Sequence, residues 1–238
     1  MLRILGSRID EVSFPEAVAR IREFLFEPRA HHVITGNTLM LLDAETDPQL
    51  QAILEKADLV VPESSGVYWA SRRLGQPLKE FIPGIDLLLA LCKVAVELKQ
   101  PIYLLGAKEG VAQAAAKTLA ANFSGLTIGG AAHGYFTAAE TPVVLERIAA
   151  CRPAFLFVGM SVPGQEKWIA QHLQNTSAGV VMGVGGSFDV LAGRLRRAPA
   201  WMRVLGIEWL YRLIQEPWRW RRIARLPIFA FKVIFTSK

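Results

Sequence analysis

The stretch FLFVGMSVPGQEKW, residues 155–168, decides the fold. Phe155 to Val158 is a continuous apolar run, the pattern of a strand covered on both faces, and a Gly-containing turn carries it into more polar, helix-compatible sequence. The same unit recurs on either side. Ile102 to Leu105 runs into GAKEG, Val180 to Val184 into GGSFD, His32 to Thr35 into Gly36-Asn37, and Leu59 to Val61 into PESSG. Two weaker runs, Arg3 to Leu5 and Thr127 to Gly129, complete the expected strands. Helical patterns fill the intervals. Ser13 and Glu16 have capping-box spacing with Pro15 in the first turn, Pro83-Gly84 precedes the apolar-periodic Ile85 to Leu98, and Gly110 opens the alanine-rich Val111 to Asn122. Strand and helix alternating in this way predict an α/β fold: a Rossmann-like, mostly parallel sheet flanked by helices.

Composition divides the chain near Arg194. From there to Lys238, eleven Lys or Arg stand against Glu208 and Glu216, so this segment carries +9 and leaves the rest of the +6 chain at −3. The expected organisation is an α/β domain over 1–193, in one body or two small lobes, and a basic amphipathic helical appendage over 194–238. That appendage reads as helices at about Ala200 to Gln215, Trp218 to Arg225 and Ile228 to Phe235, with Pro217 and Pro227 ending or kinking them. Its Trp and Arg residues together predict contact with an anionic membrane surface rather than packing on the protein's own body alone. The chain has no run of about 18 apolar residues that would span a bilayer. Its start, MLRILGSRIDEV, is too short in apolar sequence for a signal peptide, so the expected location is cytoplasmic, peripheral on the inner face of the cell membrane. Cys92 and Cys151 lie in apolar stretches and read as reduced core thiols.

In a parallel sheet ligands bind beyond the carboxyl ends of the strands, so the chemistry is sought there. Gly106, Gly164 and Gly185 sit in turns that open helices, where backbone N–H groups favour a phosphate. Gln165 and Asp189 have the chemistry to read a base or ribose, and Asp189 has equally the chemistry to cap its own helix. Glu63, at a strand end beside Ser and Gly, reads either as a general base or as a helix-cap carboxylate. No Asp-x-Asp pair stands at a strand end and no His/Cys cluster has zinc spacing, so the expectation is a mechanism with no metal and no cofactor. His133 reads as a loop residue.

These segments, in this order, resemble the WecG/TagA/CpsF family of bacterial glycosyltransferases, also called glycosyltransferase family 26. The resemblance rests on TGN (35–37), DLVVPESSGVYWAS (58–71), PGIDLL (83–88), LLGAKEGV (104–111), HGYF (133–136), GMSVPGQEKW (159–168), GVGGSFDVLAG (183–193) and RAPAWMRVLGIEWLYRLIQEPWRWRR (197–222). It implies an inverting transferase that moves N-acetylmannosamine, its uronic acid or a related hexose from a UDP-sugar to a polyprenyl-diphosphate-linked saccharide in cell-surface polysaccharide synthesis. It further implies Glu63 as the catalytic base, Thr35 and Asn37 beside the reacting sugar, Gln165 and Asp189 in the nucleotide site, and Arg212, Arg219 and Arg222 over the diphosphate. The family usually carries Asp-Gly where this chain has Glu63-Ser64, and Arg before the PG motif where this chain has Phe81-Ile82. Three rival readings are an inactive membrane-associated homologue, a nucleic-acid-binding protein using the basic tail, and a nicotinamide-dependent dehydrogenase. The last lacks GxGxxG after the first strand. The reading taken forward has no nucleic-acid partner and leaves homo-oligomer formation open.

Overall fold

A computed structural model describes residues 1–236; Ser237 and Lys238, the end of the expected appendage, lie outside the described residues. The chain opens with strands β1 (Leu2–Ile4) and β2 (Ser7–Ile9), followed by α1 (Phe14–Phe24), β3 (His31–Gly36), α2 (Thr38–Ala44), α3 (Pro48–Lys56) and β4 (Leu59–Pro62). Next come α4 (Ser65–Arg73), α5 (Gly84–Leu98), β5 (Ile102–Gly106), α6 (Val111–Asn122), β6 (Ile128–Ala132) and α7 (Thr141–Cys151). The body closes with β7 (Phe155–Gly159), α8 (Gly164–His172), β8 (Val180–Gly183) and α9 (Ser187–Leu191). The tail holds α10 (Ala200–Val204), α11 (Glu208–Gln215), a 3-10 turn at Pro217–Arg219, α12 (Trp220–Ile223) and α13 (Leu226–Thr236).

Six strands form one parallel sheet in the order β4-β3-β8-β7-β5-β6. Alternate residues of each strand feed different cores, as the two-residue period of a strand demands. Val33, Leu59, Val61, Leu104, Phe155, Phe157 and Met182 pack beneath α1, α5 and α6. On the other face Ile34 and Val60 meet α2, α3 and α4, while Leu105, Leu156, Val158 and Val181 meet α7 and α8. Burial on both faces is why these strands read as unbroken apolar runs.

Three elements differ from expectation, one of them the helix expected over Trp218 to Arg225, which is a 3-10 turn at Pro217–Arg219 followed by the short α12. The first strand belongs to a separate antiparallel hairpin with β2, which the sequence reading missed. Leu5 and Gly6, both at positive φ, make its two-residue turn, and β2 packs beside β4 instead of extending the sheet. In the tail, the expected single helix Ala200 to Gln215 is broken into α10 and α11 at Gly206, whose positive φ lets the chain turn. The capping box of Ser13 and Glu16 is present, α5 begins at Gly84, one residue before the expected Ile85, and α6 begins just after Gly110 as expected.

The tail is packed on the body. Phe229 (2% exposed) and Val233 join the core under α2 and α4, Arg225 pairs with Asp43 at 2.6 Å, and Lys232 pairs with Glu45 at 2.9 Å. The opposite side of α13 carries Ile228, Phe231, Ile234 and Phe235 into the open. Phe229→Ala should therefore cost about 3–4 kcal/mol in urea unfolding, while Phe231→Ala on the open side should change stability by less than about 0.5 kcal/mol.

Candidate active site

All the strand ends singled out from the sequence fall on one edge of the sheet, because the strands are parallel. Above the ends of β4 and β3 lies a cavity of about 380 Å³. The body contributes Asn37, Glu63, Ser64, Gly84 and Ser187 to its wall; the tail contributes Arg203, Glu208, Arg212, Arg219, Arg222 and Phe229.

Glu63 follows β4 directly, and its backbone N–H bonds to the Gly36 carbonyl at 3.0 Å, holding the side chain at the sheet edge. Ser64, one residue on, is the residue that caps α4: its Oγ accepts from the Val67 and Thr38 amides, which leaves the Glu63 carboxylate for other work. Asn37 caps α2 with its Oδ1 and donates its Nδ2 to Glu63 Oε2 at 3.3 Å. Gly84 closes the other side, where a Cβ would come within 2.7 Å of Glu63 Oε1.

The partly buried Glu63 lines this cavity, and burial of its carboxyl raises its pKa above the ordinary carboxylate value. The Arg212 charge, the Asn37 amide and the Gly84 N–H oppose that rise without cancelling it, and Glu208 adds to it. Around the carboxylate stand guanidiniums with nothing to bind. Among the described residues Arg203, Arg212 and Arg222 make no ion pair, whereas Arg219 is held by Glu216 at 2.5 Å. Burial and the adjacent Arg219 lower the pKa of Arg222, a penalty that an anion in the cavity would relieve.

Of the residues expected from the sequence, Glu63, Asn37, Arg212, Arg219 and Arg222 line the cavity together. Thr35 is buried below it and donates to the Gly183 carbonyl at 3.3 Å, tying β3 to β8. Gln165 is also buried. Its Oε1 accepts from the Met160 and Gly185 amides at 3.1 and 3.0 Å, and its Nε2 donates to Glu166, whose other oxygen meets His32 Nε2 at 2.8 Å. Gln165 thus ties two strand-end loops together instead of presenting its amide to the cavity.

Gly106, Gly164, Gly185 and Asp189 lie along the same edge outside the cavity wall. Gly106 has a structural requirement of its own, since a Cβ there would sit 2.3 Å from the Gly159 oxygen. Asp189 stands in the first turn of α9 without a side-chain cap bond, so it does not cap its own helix. Arg203 and Glu208 were missed. Their signal was present in the tail motif RAPAWMRVLGIEW, but only the turn at Gly206, where Ser65 Oγ donates to the Gly206 carbonyl at 2.7 Å, brings them over the site. No group of three or more His, Cys, Asp or Glu side chains gathers among the described residues, and no helix among them is long and apolar enough to cross a membrane.

The family model described as glycosyl transferase WecG/TagA/CpsF family matches residues 2–238. The chain belongs to this family. Relatives in Staphylococcus aureus strains MW2, NCTC 8325 and COL, each named N-acetylglucosaminyldiphosphoundecaprenol N-acetyl-beta-D-mannosaminyltransferase, are 36% identical over 235 residues. The matches cover 97% of this chain and 91% of each relative. As a member of the WecG/TagA/CpsF family the protein is a glycosyltransferase, and the cavity at Glu63 is the place where its chain sets a carboxylate of raised pKa beside guanidiniums that make no ion pair among the described residues.

Because Arg212 is the foremost influence holding the Glu63 pKa down, Arg212→Gln should raise that pKa further. Carboxyl-carbon NMR titration, assigned by comparison with Glu63→Gln, should show the midpoint moving to higher pH.

Proposed function

We propose that this glycosyltransferase moves an N-acetylmannosamine-type hexose from a UDP-sugar to a hydroxyl of a polyprenyl-diphosphate-linked saccharide, with inversion at the anomeric carbon. The observation that carries this reading is the pairing, in one cavity, of a buried carboxylate of raised pKa with the uncommitted guanidiniums of Arg212 and Arg222. The names of the relatives support the acceptor class and the sugar.

In the proposed reaction the acceptor oxygen forms a bond to the anomeric carbon as the bond from that carbon to the UDP oxygen breaks. The hydroxyl proton passes to Glu63. The electron pair leaves with UDP, and the negative charge gathering on its terminal phosphate is met by Arg212 and Arg222 with no part assigned to a metal or cofactor. Asn37 orients the Glu63 carboxylate through its 3.3 Å hydrogen bond. A carboxylate of ordinary acidity would be a weak base near neutrality, so burial is what suits Glu63 to the proton transfer.

The tail supplies the argument for a peripheral membrane location on the cytoplasmic face. Twelve of the seventeen large apolar side chains exposed among the described residues fall between Trp201 and Phe235, too many in one short segment to be scattered surface residues. Arg194 and Arg196, just before this segment, and Arg221 within it make no ion pair among the described residues and suit an anionic lipid surface. The same pattern favours a membrane over nucleic acid, whose phosphates require cations without such apolar exposure.

Glu63→Gln should abolish transfer while leaving UDP affinity, measured by calorimetry, within about twofold. In the unsubstituted enzyme kcat/KM should fall as pH drops through the raised Glu63 pKa, because the base must be deprotonated. The acid limb should therefore lie above the ordinary Glu value of about 4.3. Phe231→Asp with Phe235→Asp should remove sedimentation with anionic phospholipid vesicles without changing UDP affinity; vesicle binding equal to wild type would overturn the membrane reading.

A further inference from the structure

We propose that a second chamber beside the Glu63 cavity holds the diphosphate of the lipid-linked acceptor, gripped by Arg203. The inference rests on the acceptor class put forward above and adds where that acceptor sits. The chamber measures about 410 Å³ and lies between α4, the loop before α5 and the α10–α11 turn. It shares Phe81, Pro83, Arg203 and Glu208 with the first cavity, so a molecule seated in it would adjoin the space in front of Glu63.

One uncommitted guanidinium, and not the net charge of the wall, makes the case for an anion. Lys79, Arg197 and Arg203 face the chamber against Glu80 and Glu208. Lys79 closes on Glu16, and one Arg197 amino group closes on Asp86. Arg203 closes on nothing: among the described residues its guanidinium makes no ion pair, and its Nε is buried without a hydrogen-bond partner, as is that of Arg197. A buried donor left unpaired costs about 1–3 kcal/mol, so a shift of the Arg203 side chain that brings its guanidinium onto an incoming oxyanion would be favoured.

The shape of the rim makes the case for a lipid-linked anion over a soluble one. Val204, the neighbour of Arg203, lines the chamber and is 83% exposed; Leu205 and Trp201 are exposed beside it. The uncommitted Arg203 guanidinium inside and bare apolar side chains at the lip match a ligand whose diphosphate continues directly into a hydrocarbon chain. The arrangement also separates two diphosphates that must both approach Glu63. Donor UDP is left to Arg212 and Arg222 in the first cavity, and the acceptor enters past Arg203, which avoids crowding both anions onto the same pair of guanidiniums. Glu208, in the shared wall, is placed to accept a hydrogen bond from a hydroxyl of the saccharide between the two.

The full-length protein tests this with two variants, Arg203→Gln and Val204→Glu, the second at a site too exposed to threaten folding. Arg203→Gln should raise the KM for a polyprenyl-diphosphate acceptor about tenfold or more while the Kd for UDP stays within about twofold. Val204→Glu should raise the KM for a long-chain acceptor but not for one carrying a short, water-soluble chain. Unchanged acceptor KM in both variants overturns the assignment, and so does an equal loss of UDP affinity in Arg203→Gln, which would give the chamber to the donor. If the unsubstituted protein neither binds UDP nor transfers sugar, the failure is that of the underlying function and is read before any variant is made.

Discussion

Phe229 and Val233, seated in the core beside α2 and α4, hold the C-terminal helix against the body, and the character of Glu63 depends on that contact. Without the tail, the end of β4 would be an open strand edge and its carboxylate a solvated one. With it, Phe229, Arg212 and Arg222 become part of the wall, water is largely displaced, and the ionised form of Glu63 becomes harder to reach. One apolar contact thus links the stability of the fold to the acidity of the candidate base. The ion pairs Arg225–Asp43 and Lys232–Glu45 add direction to the docking but, being partly exposed, little energy.

The tail faces two ways. One side of α13 belongs to the core and the other, with Phe231 and Phe235, lies bare. A helix built only for packing would not carry the second set, and one built only to meet a membrane would not need the first. The two-sided pattern leaves one face of the helix closing the cavity over the sheet edge and the other face available to the membrane surface proposed above. The arginines divide in the same manner. Arg197, Arg219 and Arg225 are consumed by Asp86, Glu216 and Asp43, whereas Arg203, Arg212 and Arg222 are left with their charge turned to space that an anion can fill.

Support beneath the site is less visible but as specific. The chain from His32 through Glu166 to Gln165 ends on the amides of Met160 and Gly185, so the loops after β7 and β8 are held from below by a buried polar relay. The Gln165 oxygen takes two amides there and its nitrogen donates to Glu166. A residue type that suggests nucleotide recognition in sequence is, in the folded chain, a brace for the loops that would meet a nucleotide.

What the sequence determined on its own was the kind of fold and the edge on which the chemistry sits. Unbroken apolar runs such as FLFV and VVMG, each followed by a Gly-containing turn and a helical pattern, are what strands buried on both faces look like, and parallel strands put every following turn on one side. Glu63 could be singled out for the same reason, whereas Asn37, Arg212, Arg219 and Arg222 were named through the family resemblance that the order of the motifs carries. The separate β1–β2 hairpin was not legible, because a three-residue apolar run looks alike in a hairpin and in a sheet. Nor was Arg203, whose place depends on a positive-φ turn at Gly206 and on a hydroxyl of Ser65 that is 141 residues away. Local pattern reports which face of an element is apolar. Which distant face it meets, and therefore which charges are left unpaired over a cavity, is decided only when the elements pack.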